Sequence, residues 1–457
     1  MKAWFLTIAL VAPLVAALPP VPKDGELHCI GACQQGDPNS LMGRVLEAKK
    51  ADWEQCETST SLVCKAQQNS SSFAPTPSLQ SIGYKKCASG FAGEYPCNGV
   101  DLLSFIPHTE LGSKGNGNDI WGWTDSTTKR EYAIIGQTDG TAFVDITSPS
   151  SPIFLGRLAS NVNAKVPWRD IKVFKDHAFI VADDSSNAHG MQVFDLRTLR
   201  GLTSPKVHKA VLTYKEVGKT HNIAINEETG FAYLVGSRTC NSGLHMVDIN
   251  TPTAPKFAGC ASTDGYTHDV QVVTYKGLDS RYRGREIAFA ANEDTVTLWD
   301  VTDKSSPKML SRTGYTGAAY THQGWLTEDH QYFLVDDELD EKNGSDKHTK
   351  TYIWDVRSLT APKHIGTYSA AVNSIDHNLY IKGNYAYLAN YGSGLRVLDI
   401  SKVAQAKLQE VAYFDVTPEK DEAVFEGSWS SYIYFPSGNI VVNSIERGFF
   451  VVKTTTI

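Results

Sequence analysis

The stretch HNIAINEETGFAYLVGSRTCNSGLHMVDI, residues 221–249, contains the pattern that decides the fold. It opens with the short run HNIAIN and closes with the apolar run LHMVDI, and residues such as Glu-Thr-Gly and Asn-Ser-Gly lie between the apolar segments. Short runs of β-branched, aromatic and other apolar residues bounded by turn residues are typical of β-strands. The stretch therefore predicts part of a small sheet made of consecutive strands.

The closing run, an apolar segment that ends in Asp, recurs after residue 100. Most copies are followed by a Pro-bearing turn, such as TSPSSP or NTPTAP. The copies are TAFVDI, MQVFDL, LHMVDI, VTLWDV, TYIWDV, LRVLDI and a degenerate GFFVVK, at residues 141–146, 191–196, 244–249, 296–301, 351–356, 395–400 and 448–453.

The opening run recurs with the same period. Its copies begin at Asn118, Arg169, His221, His268, His322, His377 and Glu426. The spacing of about fifty residues leaves room for four short strands in each unit, and seven such units predict an all-β, seven-bladed β-propeller over residues 101–457. The last unit is one strand short, so we expect residues 102–106 (LLSFI) to supply the fourth strand and close the ring.

The first hundred residues have a different character. A positive charge, an apolar stretch and a small-residue cleavage site predict a signal peptide over residues 1–17, which indicates a secreted, extracellular protein. Residues 18–100 form a Cys-rich segment with one amphipathic helix pattern, residues 41–53, and a linker, residues 67–77. Asn69 and Asn343 begin acceptor motifs for N-glycosylation.

Eight cysteines fit an oxidising compartment. We predict the pairs Cys87–Cys97 and Cys240–Cys260. The pairing of the other four stays open, because connectivity cannot be deduced from spacing. These four are Cys29, Cys33, Cys56 and Cys64.

Composition excludes several classes of function. The net charge of −7 argues against a nucleic-acid surface. After the signal segment no apolar run reaches membrane length, so we expect no membrane span. Nucleotide-binding fingerprints and the familiar hydrolase motifs are absent from the sequence, so we expect no nucleotide cofactor. The expected partner is an extracellular ligand or protein, and the expected state is a monomer.

Longer stretches carry a family resemblance. They are GNDIWGWTD, DGTAFVDI, WRDIKVFKDHAFIV, HGMQVFDL, GYTHDVQVV, THQGWLTED and DHNLY, at residues 117–125, 139–146, 168–181, 189–196, 265–273, 321–329 and 376–380. Residues from about 87 to 457 resemble the choice-of-anchor B family of secreted or surface proteins with LVIVD-type propeller repeats. The resemblance implies a propeller and an extracellular or surface location, and it implies no particular reaction.

In a propeller, equivalent repeat positions form a ring around the central channel. The expected ring is Asn118, Arg169, His221, His268, His322, His377 and Glu426, so four consecutive blades contribute a histidine. Acidic residues in the turns between second and third strands lie on the same face, among them Glu293, Asp336 and Asp337. Imidazoles near carboxylates suit a divalent transition metal. Because the cation of Arg169 repels a metal, we expect the metal at His268, His322 and His377, with Arg169 holding an anionic group.

Two other interpretations of the ring stay open. The histidines could hydrogen-bond the backbone of neighbouring blades, or they could perform acid–base chemistry. Two classes of function therefore remain. One is a non-catalytic binding or scaffold protein that uses the upper face, and the other is a metal- or His-dependent extracellular hydrolase or lyase acting on a polymer or ester. Trp121, Trp168, Trp325 and Trp429 are expected to pack between blades rather than to hold a ligand.

Overall fold

The structure is a computed structural model that describes residues 40–58, 79–419, 421–455 and 457. Its strands form seven sheets of four to six strands, and the four strands of each blade are antiparallel. The predicted all-β, seven-bladed propeller is confirmed. The signal peptide, the linker, Cys29, Cys33, Cys64 and the side chain of Cys56 lie outside the described residues.

Three strands precede the first repeat, and the first three blades follow them. The early strands are β1 Phe91–Ala92, β2 Tyr95–Asn98 and β3 Val100–Pro107. Blade 1 contains β4 Gly117–Thr124, β5 Glu131–Gln137, β6 Gly140–Asp145 and β7 Ile153–Ala159. Blade 2 contains β8 Arg169–Phe174, β9 His177–Ala182, β10 Met191–Asp195 and, after β11 Lys206–His208, β12 Leu212–Tyr214. Blade 3 contains β13 Asn222–Asn226, β14 Phe231–Val235, β15 Leu244–Asp248 and β16 Lys256–Ala261.

Four further blades complete the ring. Blade 4 contains β17 Asp269–Thr274, β18 Glu286–Ala291, β19 Val296–Asp300 and β20 Lys308–Thr313. Blade 5 contains β21 Thr321–Leu326, β22 Tyr332–Asp337, β23 His348–Asp355 and β24 Lys363–Asn373. Blade 6 contains β25 Asn378–Lys382, β26 Tyr385–Asn390, β27 Gly394–Lys402 and β28 Lys407–Phe414. Blade 7 contains β29 Ser428–Tyr432, β30 Ile440–Ser444 and β31 Gly448–Thr454.

Strand β3 closes the propeller as the sequence predicts. It pairs antiparallel with β31, with Phe105 opposite Phe450 and Leu102 opposite Val452. Blade 7 therefore combines three strands from the end of the chain with one strand from before the first repeat. This arrangement leaves no open sheet edge between blades 7 and 1.

Two blades carry additional strands on their outer edges. β11 pairs parallel with β7, and β2 pairs with β28 and with β1. The predicted disulfides Cys87–Cys97 and Cys240–Cys260 are both present.

The hydrophobic core lies between adjacent blades. One cluster joins blades 1 and 2 through Phe143, Ile171 and Phe194, and a second joins blades 7 and 1 through Ile120 and Val441. Each blade buries one face against the next, because neither face of its sheet is polar enough to be left in water.

The aspartates that end the repeated runs cap turns on the outside of this core. The Asp145 carboxylate accepts a hydrogen bond from the Thr147 backbone N–H at 3.0 Å, and Asp300 does the same for Thr302 at 3.1 Å. Their role is structural.

Two α-helices lie on the face where the first strands begin. Helix α1, Leu41–Thr58, includes the predicted amphipathic segment, and the short helix α2, Asp340–Asn343, lies between β22 and β23. Single 3-10 turns occupy Leu196–Leu199, Cys240–Ser242 and Val403–Gln405. Within the described part of the chain, neither helix combines the length and the apolar character that a membrane crossing requires.

Candidate functional site

Four of the seven predicted ring residues form one row of imidazoles. The ring centroids are 4.4 Å apart between His221 and His268, 4.1 Å between His268 and His322, and 4.4 Å between His322 and His377. All four side chains are buried. The row exists because each histidine stands at or next to the start of the first strand of its blade, and these starts surround the channel.

Three of the four imidazoles donate a hydrogen bond from Nδ1 to a backbone carbonyl of the next blade. Nδ1 of His268 donates to the carbonyl of His322 at 2.8 Å, Nδ1 of His322 to that of His377 at 3.1 Å, and Nδ1 of His377 to that of Trp429 at 2.5 Å. A carbonyl oxygen only accepts, so the proton of each neutral ring is on Nδ1 and its Nε2 carries a lone pair. His221 differs, because its Nδ1 donates to the Asp183 carboxylate at 3.0 Å.

The series of bonds shows which residue holds the seventh ring position. Its last acceptor is Trp429, three residues after Glu426, and Asn378 also donates to the Trp429 carbonyl, as Asn222 donates to that of His268. The prediction that Glu426 occupies the equivalent position is therefore wrong. The seventh repeat is degenerate, so its alignment with the other repeats from sequence alone was three residues too early.

The two remaining ring residues are engaged within the chain. Asn118 donates to the carbonyl of Pro167 at 3.0 Å. Arg169 is 1% exposed, and its guanidinium donates to the carbonyl of Gln137 at 3.2 Å and to Nε2 of His189 at 2.9 Å. Arg169 therefore braces blade 1 against blade 2.

Glu338 is the carboxylate that reaches the imidazoles. Its oxygens lie 3.7 Å from Nε2 of His322 and 3.6 Å from Nε2 of His377, and the three side chains form a buried group whose ligand atoms lie within 4.8 Å of one another. From the sequence we expected Asp336, Asp337 and, in the preceding blade, Glu293 to be the acids nearest to a metal. Asp336 and Asp337 end strand β22 and Glu338 follows them directly, and the tertiary structure brings the third of these consecutive acids to the imidazoles.

The other predicted acids have different partners. Both Asp337 oxygens accept hydrogen bonds, from the backbone of Ala319 and Tyr320 and from the Tyr315 hydroxyl. Glu293 lies near helix α1, and the Met42 backbone and the Arg44 guanidinium oppose the burial that raises its pKa. Neither residue belongs to the group around His322 and His377.

Helix α1 covers the imidazole row. Its buried residues Met42, Val45, Lys49 and Asp52 share one helical face, because they are spaced by three or four positions. Met42 and Val45 pack in a cluster with aromatic residues from around the channel mouth, among them Trp168, Tyr320, Tyr391, Phe425 and Trp429.

Lys49 is the residue of α1 that enters the site. Its ammonium is 2.7 Å from Glu338 and within 6.0 Å of four aromatic ring centroids, which belong to Trp168, Tyr391, Phe425 and Trp429. A cation thus stands beside the carboxylate and the two imidazoles. The amphipathic pattern of the helix was the one feature of the sequence that pointed toward this contact.

Burial sets the protonation of this group. Burial lowers the pKa of His322 to about 4, and burial together with neighbouring imidazoles holds the pKa values of His268 and His377 well below the ordinary value. Burial alone would raise the pKa of Glu338, but Lys49 and His322 outweigh it and hold that pKa below its usual value. Burial also lowers the pKa of Lys49, and the Glu338 carboxylate opposes that shift. At neutral pH the imidazoles are therefore neutral and lie beside the pair formed by Lys49 and Glu338.

The other end of the channel holds a cavity of about 430 Å³. Most of its lining residues lie three to six residues after the ring residue of their blade in the sequence. Because the first strand of each blade runs away from the imidazole face, the cavity lies toward the opposite face. One wall is aromatic and consists of Trp121, Trp325, Tyr380, Tyr432 and Tyr434. Neighbouring rings of this wall have centroids 4.9 to 6.3 Å apart.

The rest of the cavity lining combines aliphatic residues, such as Val270 and Leu326, with polar ones. It includes Lys172, Asp269 and Gln271, and the exposed carboxylates of Glu227 and Glu328 belong to the same lining. The Lys172 ammonium is 2.5 Å from Asp170, 3.8 Å from Asp119 and 4.5 Å from the Trp121 ring centroid.

The carboxylates deep in the channel affect one another. Burial and the neighbouring Asp170 raise the pKa of Asp269 to about 7, although Lys172 opposes the shift. Burial also raises the pKa of Asp119, whereas the pKa of Asp170 stays below its ordinary value because Lys172 and hydrogen bonds outweigh burial. The cavity is consequently rich in aromatic rings and in carboxylates, with one lysine already paired.

Sequence reasoning missed this cavity. Trp121 and Trp325 do pack against Tyr380 of blade 6, which agrees with the expected packing between blades, but both also line the cavity. One pattern in the sequence could have indicated the cavity. In several blades an aromatic or charged residue lies three residues after the ring residue, as Trp121, Lys172 and Tyr380 do.

Comparison with known families identifies the repeats. The model of the LVIVD repeat family matches residues 129–160 and 377–411, which fall in blades 1 and 6. This chain carries LVIVD repeats. The two matched segments contain the runs TAFVDI and LRVLDI. The other copies of this run lie in the other blades. A comparison with curated proteins found no match.

Two solved structures are similar to this LVIVD-repeat chain. A protein from Lactobacillus plantarum is 14% identical and matches over 72% of this chain and 88% of its own, with a TM-score of 0.48. The computationally designed protein Ika8 is 10% identical and matches over 73% of this chain and 82% of its own, with a TM-score of 0.43.

Proposed function

We propose that this protein is a secreted, non-catalytic binding propeller that takes a small organic cation, such as an amine or a quaternary ammonium compound, into the channel from the face opposite the imidazole row. The observation that carries the proposal is the cavity of about 430 Å³ whose lining includes five aromatic rings and several carboxylates. The signal-like residues 1–17, the two disulfides and the resemblance to the choice-of-anchor B family support secretion.

The chemistry of the lining favours a cation over an anion. Aromatic faces attract an ammonium group by about 0.5–2 kcal/mol each, depending on how far it is desolvated. Glu227 and Glu328 outnumber Lys172, whose charge Asp170 and Asp119 already offset, and a ligand cation would favour ionisation of Asp269, whose pKa is raised to about 7. An anionic ligand would meet these carboxylates, and Lys172, the one lysine among the described lining residues, is already paired.

Lys172 supplies an internal example of the same recognition. Its ammonium rests against the Trp121 ring with carboxylates on its other side. A ligand cation against Tyr380 would meet the same combination of groups. The carboxylates of Asp119, Asp170 and Asp269 lie near enough to raise the pKa of the Tyr380 hydroxyl.

The test measures binding of choline by isothermal titration calorimetry. The matched probe is 3,3-dimethylbutanol, which has nearly the same shape and no charge. We expect choline to bind, Asp269→Asn and Trp325→Leu each to weaken it at least tenfold, and the distant exposed Asp303→Asn to leave it unchanged. Equal affinity for the neutral isostere, or binding of cellobiose in place of choline, would overturn the proposal.

The imidazole row supports a second candidate function, which is binding of a divalent transition metal. Its basis is the buried group of His322, His377 and Glu338, in which the Nδ1–H bonds leave both Nε2 lone pairs available, the arrangement that metal-ligating histidines need. His268 lies next to this group, which keeps part of the predicted ligand set. Lys49 competes with a metal for Glu338, so metal binding requires its withdrawal.

Removing the competing cation tests the second candidate. Lys49→Ala should bind Zn²⁺ or Mn²⁺ more tightly than the unaltered protein, and a further His322→Ala change should abolish the gain while the fold, followed by circular dichroism, persists. Binding should weaken as the pH falls through the low pKa of His322, because imidazolium cannot ligate. No gain in Lys49→Ala, or an equal gain in Lys50→Ala, would contradict this candidate.

The covered imidazole row favours binding over catalysis. A hydrolase or lyase would need substrate access to the row, and Lys49 with its aromatic surroundings occupies that position. We therefore favour the binding function over an extracellular hydrolase or lyase.

A further inference from the structure

Four acidic side chains are buried together where blade 5 meets blade 6. Asp340 and Glu341 begin helix α2, Asp336 lies in β22, and Asp376 lies directly before β25. They are 9%, 0%, 0% and 0% exposed, respectively. One carboxylate oxygen from each of Asp340, Glu341 and Asp376 lies within 4.8 Å of the other two.

Several of these oxygens have no hydrogen-bond partner among the described residues. They are Oδ1 and Oδ2 of Asp336, Oδ1 of Asp340, Oε2 of Glu341 and Oδ1 of Asp376. A buried carboxylate oxygen without a donor is costly, because it has lost its hydration and gained nothing in return. Asp340, Glu341 and Asp376 lie closest together, and Asp336 lies against Asp376. Burial and the neighbouring carboxyl groups raise the pKa values of Asp336, Glu341 and Asp376, and a bound cation would relieve the repulsion between the ionised forms.

The second oxygen of most members is used to hold the cluster in place. The Tyr352 hydroxyl donates to Oδ2 of Asp340 at 2.6 Å, the Lys350 backbone to Oε1 of Glu341 at 2.8 Å, and the Asp337 backbone to Oδ2 of Asp376 at 3.1 Å. Each of these three residues therefore has one oxygen that accepts a hydrogen bond and one that does not. This is the arrangement of a preformed cation site, in which outer hydrogen bonds orient the ligands.

The nearby lysines do not balance the charge. Lys350 places its ammonium 3.3 Å from Asp340 and 3.8 Å from Glu341. Lys347 donates to the backbone carbonyls of Glu341 and Lys342, and the Lys342 ammonium pairs with Asp52 of helix α1. Among the described residues, one ammonium, that of Lys350, thus lies against two of the four acids, Asp340 and Glu341.

We propose that Asp336, Asp340, Glu341 and Asp376 form a buried calcium site that ties helix α2 to blades 5 and 6. Ca²⁺ accepts six to eight oxygen ligands at about 2.3–2.6 Å, so it spans a group of this spread. An all-oxygen donor set selects a hard cation and disfavours zinc, which prefers nitrogen and sulfur. The site is distinct from the group of His322, His377 and Glu338, which offers imidazole nitrogen.

The site also has a structural consequence for the channel mouth. Lys342, in the middle of helix α2, donates to both oxygens of Asp52 in helix α1, at 2.6 and 2.7 Å. A cation that fixes helix α2 therefore fixes one of the two charged contacts that hold helix α1 over the imidazole row. Calcium should stabilise the docked state of helix α1.

Luminescence of Tb³⁺, which replaces Ca²⁺ at oxygen sites, tests the proposal on the unaltered protein. Tyr352 touches Asp340 and can transfer excitation to a bound Tb³⁺. After treatment with EGTA, added Tb³⁺ should show emission sensitised by protein excitation, and excess Ca²⁺ should remove it. Ca²⁺ should also raise the Tm in a saturable manner, and Mg²⁺ at the same concentration should do so less.

Variants locate the site. Glu341→Gln and Asp376→Asn should each weaken Ca²⁺ binding at least tenfold, whereas Asp346→Asn, an exposed acid in the same loop, should bind as the unaltered protein does. His322→Ala should also leave Ca²⁺ binding unchanged, which separates this site from the imidazole group. Absence of both Tb³⁺ emission and a Ca²⁺-dependent rise in Tm in the unaltered protein would overturn the proposal, and so would an equal loss in Asp346→Asn.

Discussion

At the scale of single residues, burial decides which charges the folded protein can hold. Glu293 is 5% exposed, and burial together with the neighbouring Asp294 raises its pKa to about 8. The unfolded chain releases this proton near pH 4.5, roughly the ordinary value for Glu. Between these two pH values the unfolded state gains free energy from ionisation that the folded state cannot gain.

Glu293→Gln should therefore stabilise the protein increasingly as the pH rises from about 4.5 to 8. The difference in unfolding free energy should reach on the order of 3 kcal/mol by neutral pH. Urea unfolding followed by tryptophan fluorescence at several pH values measures this difference. The exposed Glu228→Gln, whose pKa is lowered by Lys276, should show no such gain. A pH-independent difference for Glu293→Gln would show that Glu293 is ionised in the folded protein.

At the scale of elements, helix α1 is held to the propeller by an apolar stripe and by two charged contacts. Met42 and Val45 fill the aromatic mouth, Lys49 pairs with Glu338, and Asp52 pairs with Lys342. An isolated helix of 18 residues is only marginally stable in water, so its order depends on these contacts. The helix and its position over the channel are thus coupled.

Lys49→Ala should release helix α1 while the propeller stays folded. The change removes the cation that compensates a buried carboxylate, and breaking such a pair costs about 3–5 kcal/mol. Amide hydrogen exchange should accelerate over residues 41–52 and remain slow in the seven sheets. The matched control is Lys50→Ala, which removes a 49% exposed lysine on the same helix and should leave the exchange unchanged. Equally slow exchange in both variants would show that the apolar stripe alone holds the helix.

At the scale of the whole molecule, the seven blades are one closed cycle of packed sheets. Strand β3 supplies the closing contact, and Phe105, 1% exposed, packs against Phe450 with ring centroids 4.6 Å apart and against Tyr95. Blades 7 and 1 share a further core through Ile106 and Phe449. Loss of the closing strand therefore exposes two blades at once.

Phe105→Ala should lower the free energy of unfolding by about 3–5 kcal/mol, the usual cost of removing a buried Phe side chain. Phe91→Ala, on a side chain that is 54% exposed, should cost less than about 1 kcal/mol. Guanidinium unfolding measured by fluorescence and by circular dichroism compares the two. Equal losses in both variants would contradict the role of β3 as the closing strand.

The repeat pattern alone determined the blade number, the closing strand and the four-histidine row. Equivalent positions in consecutive blades are neighbours around the axis, whatever the length of the loops between them. His221, His268, His322 and His377 therefore lie side by side. The same argument failed at Glu426, because the seventh repeat matches the others at too few residues to be aligned reliably. Trp429 occupies the equivalent position.

Tertiary structure alone decided what surrounds the row and where a ligand can enter. Lys49 lies outside the repeats, so no periodicity connects it to Glu338, and their contact depends on how helix α1 packs. The cavity arises where side chains from different blades fail to fill the channel, and the cluster of Asp340, Glu341 and Asp376 joins a loop insertion to the next blade. Repeats specify which backbone positions are equivalent, whereas insertions and the volumes of facing side chains specify what those positions touch.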